Sequence, residues 1–160
     1  MNALTPLQKQ IVGHASLVLL AALIAGLGLT ASLLGGWEFI PGLITEFAVP
    51  GSTEAWARAH AGGILNAVMM VAFALVIPGL GFDAAVAGRL KWMLIGTGWA
   101  NTVFYYGALF APNRAISFAD NRWGASNLAS IVGLLPALIF AFVMIYVAIV
   151  FARQAFAGDD

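Results

Sequence analysis

The sequence predicts an all-α fold, a bundle of four transmembrane helices. Of its 160 residues, 62% are hydrophobic and only 9% charged, against about 45–50% and about 25% in soluble domains. Mean hydropathy is +0.95, which is more apolar surface than a soluble core of this size can hide. Uncharged runs at 11–37, 61–82, 92–113 and 123–152 each supply the roughly 20 residues that a helix needs to cross the hydrocarbon. Helix is the form expected there, because lipid cannot satisfy free backbone groups. The chain therefore reads as a single membrane domain, 1–160, with helices at about 11–36, 53–78, 89–111 and 125–153.

The first helix follows Lys9. Its apolar stretch, Ala15 to Gly35, outruns the roughly 7–15-residue core of a secretory signal, so it reads as a retained span. The connection at 37–55 is long for a bundle. Turn pairs Pro41-Gly42 and Pro50-Gly51 bracket "LITEFAV", a segment expected to lie along the interface or fold back as a cover, with no convincing strand. Ser52 caps the second helix, with Glu54 in its first turn, and Pro78-Gly79 and Gly81 end it. A short connection carrying Arg89 and Lys91 leads to the third helix. "PNRAISFADNRWG", 112–124, reads as an ordered loop before the fourth, which contributes mainly hydrophobicity. Lys9, Arg89, Lys91 and Arg153 fall on one face of the membrane, against Arg58, Arg114 and Arg122 on the other. That bias favours cytoplasmic termini in a multi-pass membrane protein.

Composition also excludes functions. Zero net charge and no basic run argue against nucleic acid. Without cysteine there are no disulfides, iron–sulfur clusters or thiolate zinc sites. No acidic pair stands at helical spacing inside a span, which argues against a carboxylate-bound di-metal centre.

Polar residues inside membrane spans are costly and so informative. "WARAHAGGILN", 56–66, places Trp56, Arg58 and His60 at the start of the second helix and Asn66 further in. His60 is a candidate ligand; the alternative is an interfacial histidine with an ordinary hydrogen bond. Arg58 reads equally as a snorkelling cation and Trp56 as a belt anchor. The other histidine, His14, opens the first helix from the opposite side. Their depths are expected to differ by something approaching the ~30 Å hydrocarbon thickness, so the two cannot ligate one iron. Asn101 and Tyr105 share a helical face and can donate to an oxygen gaining negative charge; interhelical hydrogen bonding uses the same residues. Tyr105 and Tyr106 point about 100° apart, and periodicity does not choose between them. Gly62-Gly63 offers either close approach to a flat cofactor or tight packing, and Met69 and Met70 either weak ligation or packing.

The segments "EFAVPGSTEAWARAHAGGILNAVMM" and "GWANTVFYYGALFAPNRAISFADNRWG", with "GH" at 13–14, resemble styrene oxide isomerase, a small bacterial membrane enzyme family. The resembling blocks are 36–81 and 98–124, carrying VPGS, WARAH, GWAN and PNR in order. The sequence departs where a family member has an acidic residue two positions before the tryptophan of GWAN; here it is Thr97. The resemblance implies a homotrimer of four-helix subunits with haem b near subunit contacts. It implies His60 as axial ligand, with Asn66 and Tyr105 positioning the substrate oxygen. The implied reaction is isomerisation of an aryl epoxide, styrene oxide, to phenylacetaldehyde, with ferric iron as Lewis acid and a hydride shift. Arg58 and Asn101 are the further candidate cofactor-binding residues, with Arg114 or Arg122 as other partners for the propionates. Phe104, Phe110 and Trp99 are candidate walls for the aryl ring. A haem-binding electron-transfer subunit and a non-enzymatic small membrane protein are the competing readings.

Overall fold

The computed structural model describes residues 3–157. Helix α1 spans Pro6–Leu34, α2 Thr53–Val76, α3 Ala84–Leu109 and α4 Leu128–Phe156; a 3-10 turn, Ile77–Leu80, continues α2. α1 begins before residue 11 because Thr5 and Gln8 form a reciprocal capping box with Pro6 at the first helical position. A charge such as Lys9 bounds the apolar run but does not stop a helix. Ser52, Asp83 and Asn127 cap the other three helices through their side chains.

The first connection corrects the expectation of no strand. Strands β1 (Gly36–Ile40) and β2 (Leu43–Glu46) form an antiparallel hairpin. The turn is Pro41-Gly42, where Gly42 takes φ 81° and donates its N–H to the Glu38 carboxylate at 2.5 Å. Two short runs rich in aromatic and β-branched residues around Pro-Gly are a hairpin signal. The Trp37 indole donates to the Leu27 carbonyl at 3.3 Å, so the hairpin folds back along α1.

Side-chain pairs between helices establish an up-down-up-down order. Along α1 and α2, Gln8 donates to the Ala74 carbonyl at 3.1 Å, and the Ser32 and Thr53 hydroxyls meet at 2.7 Å. Along α2 and α3, Asn66 meets Asn101, while Gly51 lies against Leu109. Along α3 and α4, Gly96 faces Phe140 and Gly107 faces Ala129 and Gly133. The start of α1 and the end of α4 therefore lie at one end of the bundle, with the hairpin and the 110–127 loop at the other. α3 packs against all three other helices. Ile11, Val18, Met70, Leu90, Leu94 and Val147 are fully buried or nearly so, whereas Leu65, Leu128 and Phe142 point outward, as a lipid-facing surface requires.

Pro6–Leu34, Thr53–Leu80 and Leu128–Phe156 are long and apolar enough to cross a membrane. α3 has 26 residues, about 39 Å of helix, but Trp99, Asn101, Tyr105 and Tyr106 make it less apolar.

The 110–127 loop is built around Asn113, which is fully buried. Its amide donates to the Ser117 carbonyl at 2.9 Å and accepts from Ala115 N–H at 3.0 Å and the Ser130 hydroxyl at 2.6 Å. Its carbonyl accepts from Asn121 at 3.0 Å. Arg114 and Ala115 take φ 62° and 54°, a left-handed pair that costs energy and persists because Asn113 holds both sides of it. Asn113→Ala should strand these partners and lower stability by about 1–3 kcal/mol, read as an earlier thermal melt in detergent and faster proteolysis within 110–127.

Candidate active site

α2 presents two chemically distinct stripes. One faces α1. Trp56 lies against Gly28, His60 against Gly26 and Gly63 against Ala22. A Cβ on Gly26 would fall 2.7 Å from His60 Nδ1, so only glycine there admits the ring. His60 is the eighth residue of α2, about 10 Å inside it. Its Nδ1 lies 2.9 Å from the Ala22 carbonyl. A carbonyl only accepts, so Nδ1 carries a proton and Nε2 is the nitrogen whose lone pair can ligate. Nε2 has no hydrogen-bond partner among the described residues. A backbone carbonyl orienting Nδ1–H is the arrangement in which histidine ligates a metal through Nε2.

The second stripe, Arg58, Gly62 and Asn66, runs along the α3 side. The Tyr105 phenol packs directly on Gly62. One turn deeper, Asn101 Nδ2 donates to Asn66 Oδ1 at 3.0 Å. Asn66 is 8% exposed, and its own Nδ2 is buried without a partner among the described residues, an unmet donor of a kind that costs about 1–3 kcal/mol. At the loop end the seam opens into a cleft of about 380 Å³ lined by Arg58, Arg114, Trp123, Ser52, Leu109 and Phe110. The Arg114 guanidinium lies 3.5 Å from the Trp123 ring centroid and that of Arg122 4.9 Å.

A family model for styrene oxide isomerase matches residues 7–156. The chain is also 41% identical over 148 residues to a styrene-oxide isomerase of Pseudomonas fluorescens, covering 92% of this chain and 88% of that protein. The chain belongs to the styrene oxide isomerase family. It is an isomerase, and its family chemistry is the isomerisation of an epoxide.

Within this isomerase the residues singled out by sequence separate into two groups. Asn66, Asn101, Tyr105 and Arg58 share the α2–α3 seam. His60 stands apart, about 120° around α2 from Asn66 and about 160° from Arg58. Gly62 and Gly63 are filled by Tyr105 and Ala22, so tight packing, not an opening for a cofactor, is their use. Asn101 makes the interhelical bond that its residue type also allowed. Tyr106 spends its hydroxyl on the Ala21 carbonyl at 2.8 Å, which leaves Tyr105, whose hydroxyl has no such partner among the described residues, as the free phenol of the pair.

His14 accepts from the Trp99 indole at 3.1 Å through Nδ1, so its tautomer is opposite to that of His60. The expected depth difference shrinks, because His60 lies level with Ala22 and Gly26, about 12–18 Å along α1 from His14. That separation still keeps the two from one iron. Trp99 is engaged with His14, Phe104 packs on Tyr105 at 5.5 Å between centroids, and Phe110 lines the cleft. Met70 is fully buried with its sulfur against Gly98, which is core packing. Thr97 lies one turn before Asn101 and donates to its own helix at Met93, 2.8 Å away.

Sequence reasoning missed Asn113 and the glycines of "AGLGL", 25–29. The signal was present: Gly26 and Gly28 stand at the depth where a bulky "WARAH" must pass. Gly62→Ala would place a methyl inside the Tyr105 ring. It should lower epoxide turnover by about tenfold or more while the helical circular dichroism spectrum stays unchanged.

Proposed function

We propose that this isomerase converts styrene oxide, or a close aryl epoxide, to phenylacetaldehyde, with haem b held through His60 in a membrane-embedded homotrimer. The observation that carries the reading is the Nδ1 hydrogen bond from His60 to the Ala22 carbonyl, which leaves Nε2 as a bare, pre-oriented ligand. The donor set fits the group: one imidazole for the iron and Arg58, with Arg114, for the propionates in a cleft where no ion pair occupies them among the described residues. Held there, ferric haem would supply a Lewis acid for the epoxide oxygen.

The chain's own residues do the rest. The Asn66 N–H and the Tyr105 O–H donate to the substrate oxygen as the benzylic C–O bond breaks and its electron pair moves to that oxygen. The aryl ring delocalises the resulting cation. A hydride then shifts from the oxygen-bearing carbon to the benzylic carbon, and the C=O bond forms. No atom is added and no net redox occurs. Apolar walls must exclude water, which would trap the cation as a diol.

The His60 ring packs on the α1 side of α2, whereas Asn66 and Tyr105 meet across the α3 side. A ligand reaching both surfaces would be held by two chains, in keeping with a site completed between subunits of the proposed homotrimer. α3 is proposed as the fourth span, crossing as an inner helix. Its indole, Asn101 amide, Thr102 hydroxyl and Tyr106 hydroxyl are all bonded within the protein, as a span requires. The distribution of basic residues supports cytoplasmic termini, and the family resemblance a bacterial inner membrane. A two-histidine electron-transfer haem is disfavoured by the separate depths and opposite tautomers of His14 and His60.

The test is to purify the protein in detergent, record its visible spectrum and add styrene oxide without an electron donor. A Soret band and conversion to aldehyde are expected, and His60→Ala should lose both; full turnover by that variant excludes the haem mechanism. Tyr105→Phe should keep the Soret band and slow turnover by about 100-fold. An unchanged rate and product would remove Tyr105 from the site.

A further inference from the structure

An amide side chain has a donor end and an acceptor end of nearly the same shape. Packing alone therefore does not decide which end Asn66 shows to a ligand. The difference matters, because an epoxide oxygen accepts and never donates. Asn66 turned with its carbonyl outward would repel that oxygen instead of holding it.

We propose that Asn101 is a positioning residue that fixes the polarity of Asn66, so that Asn66 offers the substrate oxygen a donor. This rests on the reading that Asn66 contacts the epoxide oxygen. Asn101 Nδ2 donates to Asn66 Oδ1 at 3.0 Å across the α2–α3 seam. That bond occupies the carbonyl of Asn66 and leaves its N–H₂ group, buried and with no internal acceptor. The unfilled donor belongs to a side chain only 8% exposed, so bulk water does not serve it. One turn towards the loop, the Tyr105 hydroxyl packs on Gly62 and also lacks an internal partner among the described residues. Asn101 and Tyr105 are four residues apart on α3, as are Gly62 and Asn66 on α2, so the two free donors belong to adjacent turns of one seam. Both are donors, which matches a single acceptor oxygen. Asn101 touches neither oxygen nor cofactor in this account; it acts through Asn66.

Two variants of similar shape separate this from a purely structural bond. Asn101→Leu removes the donor, leaving the Asn66 amide free to turn. Asn101→Asp presents a carboxylate, which accepts from the Asn66 N–H₂ and turns the carbonyl of Asn66 towards the ligand. Two unreactive probes report the polarity. Acetophenone carries an acceptor oxygen beside the aryl ring, and ethylbenzene has the same skeleton without it. Titration calorimetry of the haem-loaded wild type and variants is expected to show the acetophenone Kd raised about tenfold in Asn101→Leu and further in Asn101→Asp. The ethylbenzene Kd and the Soret band should stay unchanged, and turnover of styrene oxide should fall in the same order.

Equal weakening of both probes would show a structural role only and overturn the proposal. Wild-type acetophenone binding by Asn101→Asp would show that Asn101 accepts from Asn66, and would overturn it too. Asn66→Ala serves as the control for the underlying reading. If that variant turns over at the wild-type rate, Asn66 is not at the epoxide oxygen. Loss in Asn66→Ala with a wild-type Asn101→Leu refutes the role of Asn101 alone.

Discussion

The close approach of α1 and α2 is the constraint on which the site depends. Two helices come near enough for a side chain of one to reach a main-chain carbonyl of the other only where small residues line the contact. Here Ala22, Gly26 and Gly28 on α1 receive Gly63, His60 and Trp56 on α2. The carbonyl of Ala22 then takes the Nδ1 proton of His60. One packing fact thus sets the ring's position, its tautomer and the direction of its remaining lone pair. An alanine at Gly26 would disturb all of them without altering a polar atom.

α3 answers a different demand. A helix among apolar spans that carries an amide, phenols and indoles gains by bonding them within the protein. α3 does so largely against α1 and α2: the Trp99 indole reaches His14, the Asn101 amide reaches Asn66, and the Tyr106 hydroxyl reaches Ala21. Two donors along the α2–α3 seam have no partner among the described residues. The Asn66 N–H₂ group and the Tyr105 hydroxyl are left over, side by side along one seam. Those two donors match the need of an epoxide isomerase, which must hold an oxygen as it gains charge while adding nothing to the substrate.

The loop end of the bundle supports this seam from above. Asn113 converts the 110–127 loop into a fixed platform, and the left-handed backbone at Arg114 aims a cation into the cleft beside Arg58. The hairpin caps the same end, tied to α1 by Trp37. Both connections are ordered by side-chain bonds to backbone, which is how irregular chain persists beside a bilayer.

The sequence by itself determined the class of fold, the helix number and the polar residues worth attention. Four uncharged apolar runs leave lipid as the only solvent for that surface, and helix is the form that lipid permits. The "WARAH" and "GWAN" segments also carried the family. The hairpin was legible in Pro41-Gly42 and its flanking runs, yet was passed over. The tertiary structure alone decided how these side chains pair. It sets His60 Nδ1 against the Ala22 carbonyl, spends Tyr106 rather than Tyr105 on α1, and joins Asn101 to Asn66. It also placed His60 and Asn66 on different sides of α2. These are matters of who sits opposite whom across a helix seam. A hydrogen bond between residues 38 or 35 positions apart leaves no trace in local periodicity.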